Sequence, residues 1–176
     1  MNDYVVLTAV GEDRPGLVDS LSSVLLENDL NIEDSRMSVL GGEFAIILLI
    51  AGSSDAIKKL QQQKDQLEAA LKLNLLIKPT RKKTSKKGFI PYQIRVIGMD
   101  HPGIVHRLAR FLSQHNINIE DLDTESYPAP HTGTPMFAVN MVVEIPNEIP
   151  IRKLRDDFID LCDERNLDAD FEPLRG

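Results

Sequence analysis

Apolar residues fall along this chain in two rhythms, one of period two and one near 3.6. The stretch YVVLTAV, residues 4–10, is dense in β-branched side chains and predicts a strand. Leu17, Val18, Leu21, Val24 and Leu25 recur at the spacing of one helical face. Pro15 suits the first turn of that helix, where its missing N–H is no loss. Residues 31–40 predict a second strand, Gly41-Gly42 a hairpin turn, and residues 43–51 a third strand. The third strand is apolar enough to be buried on both faces or to lie at an interface. Ser53 and Ser54 are candidate caps for a helix with apolar positions Ile57, Leu60, Leu67 and Leu71. A fourth strand is expected at 73–78, which completes the order βαββαβ.

The pattern then repeats. Shifting the chain by 87 positions aligns residues 11–34 with 98–121 without a gap. Gly11, Asp13, Pro15, Gly16, Val18 and Leu21 recur as Gly98, Asp100, Pro102, Gly103, Val105 and Leu108. The tetrapeptide NIED recurs at 31–34 and 118–121. The second copy predicts strands at 91–98, 117–127, 135–145 and 167–171. Its helices carry the stripes Ile104, Val105, Leu108, Phe111, Leu112 and Ile151, Leu154, Phe158, Leu161, Cys162. In place of the tight Gly-Gly turn stands PAPHTGT, 128–134, whose two prolines predict a longer loop.

Two copies are too few for a solenoid, which needs three or more. Two domains with separate cores are expected instead: residues 1–80, a basic linker at 81–89, and residues 90–176. The βαββαβ order is that of the ferredoxin-like α+β fold, an antiparallel sheet with two helices on one face. Such a sheet keeps its other face and its edges available for pairing. A pseudo-symmetric pair of modules, and a homodimer or higher oligomer of such chains, are therefore expected.

Composition narrows the class. The 176 residues carry a formal charge of −7. Six basic and no acidic residues stand at 78–87, KPTRKKTSKK, while residues 1–77 hold six basic and twelve acidic ones. The acidic bulk argues against general nucleic-acid binding. The basic block lacks interleaved aromatics for base stacking and reads first as a solvated tether, with contact to an acidic partner or to nucleic-acid phosphate as the functional alternative. Cys162 is the single cysteine, so neither an intrachain disulfide nor a cysteine-based zinc site is expected. MNDYVVLTAV has neither the basic start nor the apolar core of a secretory signal. The longest apolar run, 44–51, is far short of the roughly 20 residues of a membrane span. A cytoplasmic protein without membrane contact is the expectation.

Candidate chemistry centres on the repeated turn. The first N–H groups of a helix are unpaired and carry partial positive charge. A glycine beside them lets a carboxylate or phosphate come close. Arg14-Pro15-Gly16-Leu17-Val18 and His101-Pro102-Gly103-Ile104-Val105 would form such cradles. The plain alternative is a shape-only turn with Asp13 or Asp100 capping the helix. Asn31 and Asn118, on the strand after the helix, are expected as polar neighbours for the ammonium of a small amino acid. The acids of NIED read as a solvated strand edge or as part of an interface. His101, His106, His115 and His131 lack metal-ligand spacing, and no nucleophile–base–acid set is visible. No metal, cofactor or catalysis is expected.

These residues resemble a known family. D-x-P-G-[LI]-V after a first strand, then a helix and N-I-E-D, is similar to the ACT domain, a small-molecule regulatory module of amino-acid metabolism. The resemblance spans about residues 3–80 and 90–172. It implies an amino-acid-responsive regulator, with glycine or a similar small amino acid as ligand. It further implies action through a protein partner such as a DNA-binding regulator, rather than direct nucleic-acid binding. A regulatory subunit or amino-acid-binding modulator of a metabolic enzyme is the alternative. Carried onto this chain, the family's ligand site falls on Asp13, Arg14, Pro15, Gly16, Leu17, Val18 and Asn31. Its second copy falls on Asp100, His101, Pro102, Gly103, Ile104, Val105 and Asn118. His101 replaces Arg14 and the second hairpin is longer, so the two sites are expected to be unequal.

Overall fold

The structure, a computed structural model, describes residues 3–84 and 87–174. The chain divides into two compact units, Met1–Thr84 and Ser85–Gly176. Each is a four-stranded antiparallel sheet with helices on one face, the α+β arrangement that βαββαβ order dictates.

In the first unit β1 (Asp3–Glu12), β2 (Asn31–Leu40), β3 (Glu43–Gly52) and β4 (Asn74–Thr80) lie in the order β2-β3-β1-β4. Helix α1 (Leu17–Glu27) follows β1; α2 (Ser54–Gln62) and α3 (Lys64–Leu71) follow β3. The single second helix expected from Ile57, Leu60, Leu67 and Leu71 is thus two segments meeting at Gln63. The interruption is slight: Gln63 N–H donates to Lys59 O and Leu67 N–H to Gln63 O, at 3.0 and 2.9 Å, so helical bonding continues through it. Ser53 caps α2 by accepting the Ala56 N–H at 3.1 Å.

The second unit repeats this with β5 (Phe89–Met99), β6 (Asn118–Pro128), β7 (Pro135–Pro146) and β8 (Leu167–Pro173), ordered β6-β7-β5-β8. Its helices are α4 (Ile104–Gln114) and α5 (Ile151–Asp163). The second core is more aromatic: Phe158 sits edge-on to both Phe111 and Phe171 at 5.4 and 5.5 Å.

Period two sorts each strand between two faces. Val5, Leu7 and Ala9 of β1 and Phe44, Ile46, Leu48 and Ile50 of β3 are buried beneath the helices. Their alternates point the other way. On β3 these include Ile47, which is 46% exposed, so the strand is buried on one face within its unit rather than on both. The bare faces differ sharply between units. In the first, Val6, Val10, Ile47, Leu49 and Leu76 make it apolar, with Asp34, Arg36 and Lys78 at its margins. In the second, the outer strands place Asp121, Asp123, Glu125 and Asp168, Asp170, Glu172 on either side of Gln93, Arg95 and Ile97. That face is acidic.

Candidate functional site

Strand β1 ends where a Cβ has no room. One added to Gly11 would lie 2.8 Å from both the Lys72 carbonyl oxygen and Leu73 Cδ2. The chain then turns through Asp13, whose N–H donates to Gly42 O at 3.0 Å and ties the turn to the β2–β3 hairpin. Gly16 follows at φ 89°, a left-handed conformation that glycine adopts without steric penalty. It is the N-cap of α1, and no side chain caps the helix. Neither Asp13 nor Asp100 acts as the cap, because the glycine bends the chain before the helix begins. Pro15 and Pro102 likewise precede the helix instead of standing in its first turn.

The first α1 residue to find a helical acceptor is Ser20, whose N–H donates to Gly16 O at 2.9 Å. The N–H groups of Leu17, Val18 and Asp19 are left at the open end of the helix. Asp13, Arg14, Gly16, Leu17, Val18 and Asp19, together with Met37 and Phe44, line a depression of about 290 Å³. A smaller one of about 220 Å³ lies between Glu12, Asp13, Arg14 and Lys72. Arg14 bridges the two and donates through Nη2 to the Leu71 carbonyl at the end of α3. Leu17 is buried and anchors the helix, whereas Val18 is 47% exposed. Nothing lies within 4 Å of the space above Gly16.

The second turn has the same backbone. Gly103 is at φ 91°, Asp100 N–H donates to Pro135 O at 2.9 Å, and Arg107 N–H donates to Gly103 O at 3.1 Å. Its side chains differ. Arg107 Nε comes within 3.9 Å of the position a Gly103 Cβ would take, so this turn is partly covered. Ser126 Oγ donates to Asp100 at 3.4 Å, and His101 Nδ1 lies 3.2 Å from the Pro102 carbonyl. Ile104 is buried and Val105 packs against the core. Where the first turn carries Arg14 and Asp19, the second carries His101 and His106.

Asn31 and Asn118 are not part of either turn. Asn31 pairs with Ala51, while Glu12, next to the turn, pairs with Glu43. Those rows are about eight residues, or roughly 26 Å, apart along β3. Asn118 and Met99 are separated in the same way along β7. The reason is topological. Strand β2 enters the sheet at the end opposite to the one at which β1 leaves it.

The asparagines have another local role. Each sits at a β-bulge, between Ile32 and Asp34 and between Ile119 and Asp121. Glu33 and Glu120 are the extra residues, and Asn31 and Asn118 donate to them through Nδ2 at 3.1 and 2.7 Å. Glu33 in turn receives Lys82 Nζ at 2.6 Å. That bond, then the one from Asn31, holds its carboxyl below the ordinary carboxylate range. Asp34 is lowered chiefly by Arg36, 2.7 Å away. The NIED repeat therefore marks a structural bulge, which residue spacing alone did not reveal.

No group of three or more metal-ligating side chains occurs among the described residues. No helix among them is long and apolar enough to cross a membrane.

Each of the two βαββαβ modules thus presents a helix N-terminus with no side-chain cap after its first strand, and this tandem ferredoxin-like plan is the class of fold to which the chain belongs. Models of the ACT domain match residues 3–78 and 92–163, and the chain belongs to the ACT-domain family. It is 29% identical over 163 residues to the glycine cleavage system transcriptional repressor of Escherichia coli (strain K12), which covers 93% of this chain and 86% of that protein. It is 40% identical over 65 residues to the UPF0237 protein MK1213 of Methanopyrus kandleri, covering 37% of this chain and 71% of the relative. A crystal structure of an unknown protein from Galdieria sulphuraria superimposes with a TM-score of 0.82 at 27% identity, covering 99% of this chain and 100% of that one.

Proposed function

We propose that this chain is a non-catalytic, amino-acid-responsive regulator in the cytoplasm, with glycine as the first candidate ligand. It acts by protein contact with a DNA-binding regulator and assembles as a homodimer or higher oligomer. The observation that carries the reading is the first turn. Unpaired helix N–H groups suit a carboxylate, and the carboxylates of Asp13 and Asp19 beside them suit an ammonium. A zwitterion of glycine's size matches both, in a depression near the small end of ligand-site volumes. The likeness to the glycine cleavage system transcriptional repressor over most of both chains supports the same reading.

Magnitudes set its affinity. A helix N-terminus gives an anion about 0.3–1 kcal/mol when exposed and up to about 2 when partly buried. Millimolar binding needs about 4 kcal/mol, so the cradle alone is too weak and the ammonium must be held as well. At the ceiling of about 1.5 kcal/mol per heavy atom, a molecule the size of glycine reaches micromolar affinity at most. Such a site would sense metabolite levels rather than trap them.

Calorimetric titration with an amino-acid panel tests the proposal. Saturable binding of glycine, weakened by Asp13→Asn more than by Asp100→Asn, is the expected result. A flat response to every amino acid would remove the sensing role and leave a constitutive adaptor.

A further inference from the structure

We propose that the basic segment after β4 forms one wall of a second ligand site in the first module, suited to a small phosphate monoester with an apolar or ring-shaped body. This site lies at the end of the sheet away from the Gly16 turn. It is a cavity of about 670 Å³, open on one side, where the start of β1 and the end of β4 meet α2. Its volume is more than twice that of the depression at the turn and falls within the roughly 300–1,000 Å³ of small-molecule sites.

Its chemistry is the reverse of the module around it. Residues 1–77 hold twice as many acidic as basic side chains, yet Lys58, Arg81 and Lys82 line this cavity against one acid, Asp3. That carboxylate is already engaged, accepting the Ser54 hydroxyl. Lys82 is fixed in place by Glu33 at 2.6 Å, so the chain leaving β4 folds back along the module. Lys58 has only a loose partner, Asp55 at 4.0 Å, and both side chains are exposed. Arg81 has no ion-pair or hydrogen-bond partner among the described residues. The Arg81 guanidinium fork and the loosely partnered Lys58 ammonium, with Lys82 held by Glu33 in the same wall, match a phosphate dianion better than a single carboxylate. Tyr4, Ile57 and Pro79 supply apolar wall for the rest of the molecule. The helix end adds little, because Ser53 already accepts the Ala56 N–H.

The test uses the full chain, with AMP, adenosine and inorganic phosphate as probes in calorimetry and amide NMR. AMP is expected to bind saturably at one site per chain and to shift the amides of residues 57–61 and 80–82. Adenosine and inorganic phosphate should each bind more weakly. The double variant R81A/K58A should weaken AMP at least about tenfold, the scale of a lost charge-assisted hydrogen bond, without changing the glycine titration. Arg81→Lys should restore part of the loss. The proposal is overturned if AMP gives neither heat nor shifts, if adenosine binds as tightly as AMP, or if R81A/K58A binds AMP like the parent. Tighter binding of a short DNA duplex than of AMP, lost in the same variant, would also overturn it. The glycine-binding turn uses other residues, so failure of either site leaves the other standing.

Discussion

At the residue scale, the glycines before each first helix do different jobs. Gly11 is required for space, since the atoms it would meet include the fixed Lys72 carbonyl at 2.8 Å. Gly98 would meet Leu167 Cδ2 at 2.2 Å, but the nearest backbone oxygen is 3.3 Å away and a leucine tip can move. Gly11→Ala should therefore lower stability more than Gly98→Ala, by about 1–3 kcal/mol for the former, read from urea midpoints. Gly16→Ala meets no neighbour; its penalty is the left-handed backbone, about 1–3 kcal/mol, and it should weaken glycine binding as well. Cys162 gives a second residue-scale prediction. Burial, then the nearby Asp163 charge, pushes its thiol up to about 11. The native thiol should resist a disulfide reagent at pH 8 and react at once in denaturant. The unfolded thiol ionises near 9.0 and the folded one only near 11, so this group lowers stability as pH rises between them. Fast labelling of the native protein would contradict the burial.

At the scale of elements, the strands and the first helix of each module were legible because periods of two and 3.6 carry over directly into burial. Leu17, Leu21 and Leu25 are core residues, as their spacing requires. The end of the sheet at which an element lies was not legible. Asn31 follows α1 closely in sequence, yet α1 runs back along the sheet, so β2, parallel to β1, starts at the far end. The bulge was also hidden, since one extra residue leaves no mark on a strand whose side chains are all exposed. Helix α3 shows a tie that only coordinates reveal. Glu68 Oε1 accepts the Leu75 N–H at 2.7 Å and meets Lys64 Nζ at 2.9 Å. The Leu75 bond, then the Lys64 bond, lowers the Glu68 carboxyl from its ordinary 4.5. Its contribution is thus complete above that value and lost as pH falls through the lower folded one. In Glu68→Gln the Leu75 amide should exchange faster than in the parent at the same pH, while amides of β1 are unchanged. Equal rates at Leu75 would show that the carboxylate does not hold the start of β4.

For the molecule as a whole, each unit has its own core, and the buried residues of the two form separate clusters. Phe158 touches Phe111 and Phe171 in the second core alone. Phe158→Ala should cost the second unit about 3–5 kcal/mol and leave amide signals of the first dispersed when the second melts. Loss of both sets of signals in one transition would show that the units fold as one. The sequence repeat made the two-unit plan readable, but it drew attention to what the copies share. Their divergence lay in the alternation D-x-D-x-E at 121–125 and D-x-D-x-E at 168–172, visible only once each strand's inward face was known.

That divergence has a consequence for assembly. A chain with two apolar sheet faces could bind one neighbour on each and grow without end. This chain has one such face and, in its other module, two rows of carboxylates that would repel a copy of themselves. If the proposed self-association runs through the apolar face, a single like partner satisfies it, and it terminates in a pair instead of a filament.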